Sequence, residues 1–268
     1  MNIVSLTNPR VKNWAQLKSR KGRNKQGKFI VEGIHLVKEA LRSGVPVECV
    51  VYSMERGLPD EIPRNADGLE WIAVSEEVLA KCTDTITPQP VFAVVRKLPW
   101  DFNLLFESEQ PLIVALDAVQ DPGNVGTIIR SAEAAGATAV LLGEGTVDPY
   151  NSKTVRATMG SIFRMPLFEC SLPDMLSRVS GTSAQIIGTG LADGWKNCYE
   201  ADLTRGVWII VGNEGRGITD EVAPYVDTWV KIPMQGKVES LNAAMAATVL
   251  LFEAMRQREF SPNKNSCP

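Results

Sequence analysis

Apolar residues in this chain are gathered into short runs, such as Leu112–Leu116 and Val207–Val211. Runs of this length suit buried β-strands, whereas a membrane-spanning helix needs roughly 18–20 apolar residues in succession. Helical patterns separate the runs. Buried strands that alternate with helices predict an α/β protein whose mainly parallel sheet is covered on both faces. We expect no membrane partner, and the first residues contain no apolar stretch typical of a secretion signal.

The chain is expected to divide at Lys97–Pro111, a mixed polar stretch bounded by prolines. The patterns predict a small α/β domain over residues 1–98 and a second α/β domain over residues 111–268. In the first domain we expect helices at Pro9–Arg20, Gly33–Arg42 and Ser75–Lys81, a loop at Lys21–Lys28, and strands at Phe29–Val31, Val47–Tyr52, Trp71–Val74 and Val91–Val95. In the second we expect strands at Leu112–Leu116, Thr138–Leu142, Gln185–Thr189, Val207–Val211 and Thr228–Ile232, and helices at Val125–Ala135, Thr154–Met159 and Ser240–Arg258.

The basic residues at the start of the chain predict contact with a polyanion. The net charge is −3, but eight basic residues precede the first acidic residue, Glu32. Lys and Arg side chains that neutralise phosphates release counterions, which favours binding to nucleic acid. A solvated helix is the alternative. A helix that lies on a membrane surface is disfavoured, because Lys18–Lys28 lacks the strong apolar face that such a helix needs. The predicted RNA-binding residues are Arg10, Lys12, Lys18, Arg20, Lys21, Arg23, Lys25 and Lys28.

Cysteine and histidine content excludes several kinds of site. The cysteines are odd in number and scattered, which argues against a disulfide framework or a zinc site and favours a reducing cytoplasm. Because His35 is the only histidine, sites built from histidine pairs are excluded. His35 itself lies in a helical pattern. We therefore expect chemistry that avoids histidine and needs no metal. The five cysteines are Cys49, Cys82, Cys170, Cys198 and Cys267.

Three loops at predicted strand ends combine glycine with polar residues. In the first, Asp121–Asn124 has turn composition, Asn124 is a candidate helix N-cap, and Arg130 follows near the second helical turn. Capping alone would explain Asn124, and a surface ion pair would explain Arg130. Ligands of parallel sheets bind beyond the carboxyl ends of the strands, so the loop is also a candidate site.

The second and third loops lie near the end of the chain. Glycines at 212, 215 and 217 allow a ligand to approach the main chain, and Glu214 lies among them. Their spacing is neither the dinucleotide fingerprint nor a phosphate-binding P-loop. In the third loop Ser240 is a candidate N-cap of the last helix. Asn242 would then lie in the first helical turn, where its low propensity suggests a second role.

These three loops together resemble the SpoU-type branch of the SPOUT methyltransferases, over about residues 111–255. The segment KFIVEGIHLVKEAL in the first domain is similar to the L30e-like RNA-binding domain that often precedes it. Position 244 is Ala where relatives often have Ser. The matching positions are Asn124, Gly126, Arg130 and Ala132 in the first loop, Gly212, Asn213, Glu214, Gly215 and Gly217 in the second, and Ile232, Pro233, Met234, Gly236, Ser240, Leu241 and Asn242 in the third.

The resemblance implies an RNA methyltransferase that modifies a ribose 2′-hydroxyl with S-adenosylmethionine. It also implies a C-terminal trefoil knot and a homodimer packed through the last helix. Arg130 would act on the ribose hydroxyl, either in its own subunit or across the dimer. An arginine stays protonated, so stabilising the alkoxide or holding a phosphate is easier than accepting a proton. The residues implied to hold the cofactor are Gly190, Gly212, Ile232, Met234 and Leu241, and those implied to position the reaction beside Arg130 are Asn124, Glu214, Ser240 and Asn242.

Alternatives remain within and beyond this family. The added RNA-binding domain favours ribosomal RNA over transfer RNA as the substrate. A non-catalytic RNA-binding scaffold would use the same domains, but the polar residues of all three loops argue against it. A nicotinamide-dependent oxidoreductase would need a Gly-x-Gly-x-x-Gly sequence after its first strand, and this is absent.

Overall fold

The computed structural model describes residues 2–64, 68–190, 194–237 and 240–260. The strands are β1 (Asn2–Ile3), β2 (Lys28–Glu32), β3 (Val47–Ser53), β4 (Glu70–Val74), β5 (Val91–Arg96), β6 (Leu112–Leu116), β7 (Ala139–Leu142), β8 (Leu167–Glu169), β9 (Gln185–Thr189), β10 (Lys196–Asn197), β11 (Val207–Val211) and β12 (Thr228–Lys231). The helices are α1 (Pro9–Gln16), α2 (Arg20–Gln26), α3 (Ile34–Ser43), α4 (Glu76–Cys82), α5 (Leu104–Glu107), α6 (Pro122–Ala134), α7 (Ser152–Ala157), α8 (Leu172–Val179) and α9 (Ala243–Glu259).

The chain forms two compact units. The amino-terminal unit comprises Met1–Pro99 together with Asp148–Arg164, and the carboxy-terminal unit comprises Trp100–Val147 together with Met165–Pro268. The segment Asp148–Arg164, which contains α7, thus belongs by its contacts to the amino-terminal unit.

The amino-terminal unit is built on a mixed sheet in the order β1-β4-β3-β5-β2, in which β5 runs antiparallel to both of its neighbours. Helix α1 buries Val11 and Trp14 against this unit's core, and the Trp14 ring meets the Phe92 ring edge-on at 5.9 Å between centroids. Burial of such aromatic side chains is a large part of the stability of a small domain. The start of the chain is therefore part of the core.

Residues 20–26 form a helix, so the prediction of a loop over Lys21–Lys28 is wrong. The hydroxyl of Ser19 accepts from the amide of Gly22 and caps the helix, and Gly27 ends it in the left-handed conformation with a φ of 63°. The sequence contains both capping residues, Ser19 and Gly27, but the glycine at position 22 between them favoured a loop. Glycine is required at this position because a Cβ there would lie 2.0 Å from the Gln16 carbonyl oxygen.

Ion pairs within the amino-terminal unit hold the segment Asp148–Arg164 in place. The Arg23 guanidinium is buried and donates to Asp148 Oδ2 through Nε at 2.9 Å and Nη2 at 2.6 Å. Glu32 Oε2, also buried, lies 3.5 Å from Arg156 Nη1. The Tyr150 ring packs on Phe29 at 4.9 Å between centroids. These contacts make the segment an integral part of that unit.

The carboxy-terminal unit contains a seven-stranded sheet in the order β10-β12-β9-β11-β6-β7-β8, and all its neighbouring strands are parallel. This confirms the predicted parallel sheet. Every residue of β6 and of β11 is buried, as expected for central strands that are covered on both faces. Because β9, β11 and β12 all run the same way, the loops after them emerge at one edge of the sheet.

No helix in the described ranges combines the length and the apolar character that crossing a bilayer requires. Helix α9, the longest of those described, is apolar around much of its circumference. It buries Ala247, Leu250 and Leu251, while Met245 and Phe252 are exposed.

Candidate functional site

A cavity of about 660 Å³ lies at the carboxyl ends of β9, β11 and β12 and at the start of α9. We call it the three-loop cavity, after the loops that follow β9, β11 and β12. Its position at this edge of a parallel sheet is where ligands of such sheets bind. All the predicted cofactor-binding residues line it: Gly190, Gly212, Ile232, Met234 and Leu241. Three of the predicted positioning residues line it as well, namely Glu214, Ser240 and Asn242.

The loop after β11 is shaped by glycines. A Cβ on Gly212 would lie 2.2 Å from the carbonyl carbon of Gly217, a distance that only glycine avoids. The amides and carbonyls of Asn213 and Gly217 bond to each other in both directions, each at 2.9 Å. Gly217 has a φ of 74°, in the left-handed region. The result is a closed turn whose main chain forms part of the cavity wall.

Asn213 connects this turn to the loop after β6. Its Nδ2 donates to the carbonyl of Ala118 at 2.8 Å, and its Oδ1 accepts from the amides of Gly215 and Arg216. Ala118 has a φ of 55°, which is unusual for a residue with a side chain. Such a conformation persists only where surrounding contacts hold it. The first two loops are therefore fixed to each other through Asn213.

Asp121, rather than Asn124, is the N-cap of α6, so that part of the prediction is wrong. The Asp121 carboxylate accepts from the amide of Asn124 at 2.7 Å. Asn124 is buried, and its Nδ2 donates to Glu214 Oε1 at 2.9 Å. Its Oδ1 accepts from Asn242 Nδ2, also at 2.9 Å. Asn124 thus joins the second loop to the third, although it does not line the cavity itself.

Asn242, rather than Ser240, is the N-cap of the last helix. Its Oδ1 accepts from the amides of Ala244 at 2.9 Å and Met245 at 3.3 Å. The prediction that Asn242 lies inside the first turn is wrong because α9 begins at Ala243. The same side chain also bonds to Asn124, and a functional role of Asn242 stays a prediction.

Glu214 is held as a carboxylate by the groups around it. Burial opposes its ionisation, but the bond from Asn124 and bonds from the amides of Gln120 and Asp121, both at 3.3 Å, outweigh burial and lower the pKa of Glu214. A carboxylate that accepts several N–H donors is stabilised in its charged form. Glu214 therefore bridges two loops as an acceptor.

Arg130 lies away from the cavity of its own chain. It is exposed on α6 and is not among the residues that line the three-loop cavity. Helix α6 packs against α9, and the hydroxyls of the next residue, Ser131, and of Thr248 lie 2.7 Å apart. The three predicted loops are thus bonded to one another, but Arg130 is not among the residues that line the cavity.

Several residues of the cavity wall were missed by the sequence analysis. Trp229 and Lys231, both on β12, line the cavity, as does Arg216 in the glycine turn. A Cβ on Gly190 would lie 3.3 Å from the Trp229 ring, so this ring closes one side. The signal for the β12 residues was the alternation of Trp229 and Lys231 with Val230, which places both on one face of the strand.

The described residues offer neither a metal cluster nor a cysteine nucleophile. No group of three His, Cys, Asp or Glu side chains suited to a metal occurs among them. Burial raises the pKa of Cys49 to about 12 and that of Cys82 to about 11, so these thiols stay protonated at neutral pH. The exposed ring of His35 has its Nε2 3.4 Å from the Met159 carbonyl. Cys267 lies outside the described residues.

The predicted RNA-binding residues differ in the exposure of their side chains and in the ion pairs that they form. Arg23 is 4% exposed and also donates to the carbonyls of Leu17 and Lys18, so its prediction as an RNA contact is wrong. Three others form ion pairs, Arg10 with Glu70, Lys18 with Asp84 and Lys28 with Glu48. The side chains of Lys12, Arg20, Lys21 and Lys25 are exposed.

Two family models match the chain. The model of the SpoU rRNA Methylase family matches residues 111–252, and that of the MRM3-like substrate binding domain matches residues 8–93. The chain is 37% identical to the 23S rRNA (guanosine(2553)-2′-O)-methyltransferase RlmP of Bacillus subtilis, covering 93% of this chain and 97% of that protein.

Two further relatives match over nearly the whole chain. A 23S rRNA (uridine(2479)-2′-O)-methyltransferase of Streptomyces viridochromogenes is 33% identical, over 95% of this chain and 92% of the relative. The crystal structure of the AdoMet-bound rRNA methyltransferase from Sinorhizobium meliloti has a TM-score of 0.82 and 35% identity, covering 96% of this chain and 98% of the other.

Proposed function

Because the chain belongs to the SpoU rRNA methylase family, we propose that it methylates a ribose 2′-hydroxyl of ribosomal RNA with S-adenosylmethionine as the methyl donor. The observation that carries the proposal is the three-loop cavity, in which loops far apart in sequence are joined by the bonds of Asn124. The relatives named above act on ribosomal RNA, which favours it over transfer RNA.

The cavity suits S-adenosylmethionine in size and chemistry. Small-molecule sites occupy about 300–1,000 Å³, and this cavity falls within that range. Gly190 and Gly212, which have no side chain, line it together with Ile232, Met234 and Leu241, so accessible main chain and apolar residues are both present. We assign these five residues to cofactor binding. When bound, the cofactor supplies an electrophilic methyl group on a sulfonium.

Asn124, Glu214 and Asn242 keep the cavity in shape. Glu214 can only accept, so Asn124 must turn its Nδ2 toward it and its Oδ1 toward Asn242. Asn242 must then direct its Oδ1 at the amides of α9. Each amide has one orientation that satisfies both neighbours. A side-chain network of this kind pre-organises a site, and orientation accounts for much of the acceleration of a transfer reaction.

Arg130 acts, in this proposal, on the site of a second subunit. The side chain is exposed and does not reach the cavity wall of its own chain. A guanidinium remains protonated, so its role is to stabilise the developing alkoxide or to hold the neighbouring phosphate. Ser240, at the rim of the cavity, helps to position the ribose.

A homodimer would place such an arginine beside a second cavity. From Ala243 to Phe252, helix α9 is apolar on its exposed side as well as its buried side, with Met245 54% and Phe252 41% exposed. A helix that is apolar all round is usually buried all round. A second copy would cover this face with its own α9. Because α6 packs against α9 within each subunit, the second copy's Arg130 on α6 would then lie near the first copy's α9.

The amino-terminal domain, residues 1–98, would bind the RNA, and residues 111–268 would form the methyltransferase domain with a C-terminal trefoil knot. Exposed lysines at 12, 21 and 25 support RNA binding through the phosphate backbone. The four cysteines of the described residues are free thiols, which supports a cytoplasmic location.

The proposal is tested by incubating the protein with S-adenosylmethionine and either a transcript of 23S ribosomal RNA or bulk transfer RNA, and then mapping ribose methylation. We expect one methylated nucleotide in the ribosomal transcript. Gly190→Phe, which obstructs the cavity, should abolish both methylation and cofactor binding in a calorimetric titration. A wild-type protein that binds RNA without binding the cofactor would instead be a non-catalytic scaffold.

A further inference from the structure

An exposed tryptophan stands beside the three-loop cavity on the edge of the sheet. Trp195 immediately precedes β10, which pairs in parallel with β12 so that Lys196 lies opposite Val230 and Asn197 opposite Lys231. Extending this register by one residue places Trp195 opposite Trp229. Side chains opposite each other on neighbouring strands project from the same face. Trp195 thus shares its face with Trp229 and Lys231, the two β12 residues of the cavity wall.

The Trp195 ring contacts a cationic side chain and is still accessible to solvent. The Lys231 ammonium lies 5.2 Å from the ring centroid, a cation–π distance. Nevertheless 47% of Trp195 is exposed, which is unusual for so large an apolar side chain. Trp195 itself does not line the cavity, so it stands outside the space assigned to the cofactor.

We propose that Trp195 is a base-stacking residue, on which a nucleobase of the RNA substrate lies next to the methylated ribose. The inference rests on the proposed function. Every nucleobase has a π face, and exposed aromatic rings beside cationic side chains are the usual platform for unpaired bases. Lys231 supplies positive charge close to the phosphate of the same nucleotide. Because the donor lies within the cavity and Trp195 beside it, base and donor occupy different places.

The test compares Trp195→Ala and Trp195→Phe with the wild-type chain. Affinity is measured for a single-stranded oligoadenylate decamer and for a decamer of the same length that lacks bases. We expect Trp195→Ala to weaken binding of the oligoadenylate about tenfold and to leave binding of the abasic decamer unchanged. Trp195→Phe should retain most of the affinity because it keeps an aromatic face.

Calorimetry and kinetics give further readouts. The affinity for S-adenosylmethionine should stay within about twofold in Trp195→Ala, and KM for the ribosomal transcript should rise while kcat falls less. Tyr199→Ala is the matched control, since Tyr199 is also exposed, two residues after β10, and does not line the cavity. It should leave the binding of both decamers unchanged.

Three outcomes would overturn the inference. The first is an unchanged affinity for oligoadenylate in Trp195→Ala, and the second is an equal loss with the abasic decamer. The third is a loss of cofactor affinity, which would make Trp195 a cover for the cofactor. Failure of the proposed function is distinguishable, because a wild-type chain without methyl transfer would still show whether oligoadenylate binding depends on Trp195.

Discussion

The side-chain amides of Asn124 and Asn242 each donate through the nitrogen and accept at the oxygen. The polarity of the network is set by groups that cannot change roles: the Glu214 carboxylate, which accepts, and the first amides of α9, which donate. Between them each asparagine must donate from one end and accept at the other. Aspartate or glutamine would satisfy one end and fail at the other.

Substitution of Asn242 separates its capping role from its bond to Asn124. Asn242→Asp keeps an acceptor for the α9 amides, and because Asp caps as well as Asn, any loss of stability should come from the broken bond to Asn124 and not from the cap. It presents an acceptor to Asn124 Oδ1, so methyl transfer should fall at least about tenfold. Asn242→Ala loses the cap as well and should cost about 1 kcal/mol of stability. Denaturant unfolding and single-turnover assays measure the two effects, and equal activity in Asn242→Asp and the wild type would contradict the network's role.

The pH dependence of stability should reveal the Glu214 carboxylate. The folded pKa of Glu214 is lowered relative to that of the unfolded chain, so ionisation stabilises the fold. This contribution is complete above the ordinary carboxyl pKa of about 4.3 and is lost as the pH falls through the lower folded value. The stability difference between wild type and Glu214→Gln should therefore be constant from about pH 8 to 6 and shrink below about pH 4. A difference that grew on acidification would show the opposite shift.

At the scale of elements, the basic start of the chain has a structural role that its composition alone does not reveal. Trp14 and Leu17 belong to the core, and Arg23 is buried against Asp148. Removal of residues 1–28 would therefore damage the amino-terminal unit as well as remove positive charge. Single substitutions are the cleaner way to measure RNA contact.

Replacing Lys12, Lys21 and Lys25 together by Ala should weaken RNA binding with little effect on folding. If each lysine neutralises one phosphate, the slope of log affinity against log salt should decrease by about two. Arg23→Ala is the contrast: loss of one partner of a buried ion pair should cost about 3–5 kcal/mol. Salt titrations of RNA binding and denaturant unfolding distinguish the two. An unchanged slope in the triple variant would exclude these lysines as phosphate contacts.

The strands were more predictable than the ends of the helices. Leu112–Leu116 and Val207–Val211 occur with the predicted bounds because a fully buried strand must be apolar throughout. Gln185–Thr189 also occurs with the predicted bounds, although its two end residues are only half-buried. The caps of α6 and α9 were assigned to the wrong residues, since Asp, Asn and Ser are all good N-caps and lie close together at both places. Helix α8 was not predicted; its signal was Ser171 followed by a proline in the first turn.

The three-loop cavity could be predicted only through the resemblance of its motifs. Periodicity places Gly212 and Ile232 at strand ends, but the order of the sheet decides whether those ends are neighbours. Strand β9 separates β11 from β12, and this arrangement follows from long-range pairing rather than from local pattern. Trp195 was missed for the same reason, because its neighbour across the sheet is 34 residues away in the chain.

At the scale of the whole molecule, mixed dimers test whether Arg130 acts in trans. Arg130→Ala lacks the arginine but keeps its cavity, whereas Gly190→Phe keeps the arginine and lacks cofactor binding. Each variant alone should be inactive. If Arg130 serves the partner's cavity, an equal mixture after subunit exchange should recover about one quarter of wild-type activity, because half of the dimers are mixed and each has one complete site. No recovery, despite mixed dimers verified by native mass spectrometry, would place Arg130 in cis.

The contribution of Asp148–Arg164 to the amino-terminal unit has a consequence for synthesis. A nascent chain that has reached Pro99 still lacks Asp148, so Arg23 has no carboxylate to receive it and Tyr150 is not there to cover Phe29. The amino-terminal unit therefore finishes folding only after β6, α6 and β7 of the carboxy-terminal unit have been translated. A gene fragment that stops near codon 99 would encode an incomplete domain, prone to aggregation, whereas one extended through codon 164 would carry every strand and helix that the unit contains.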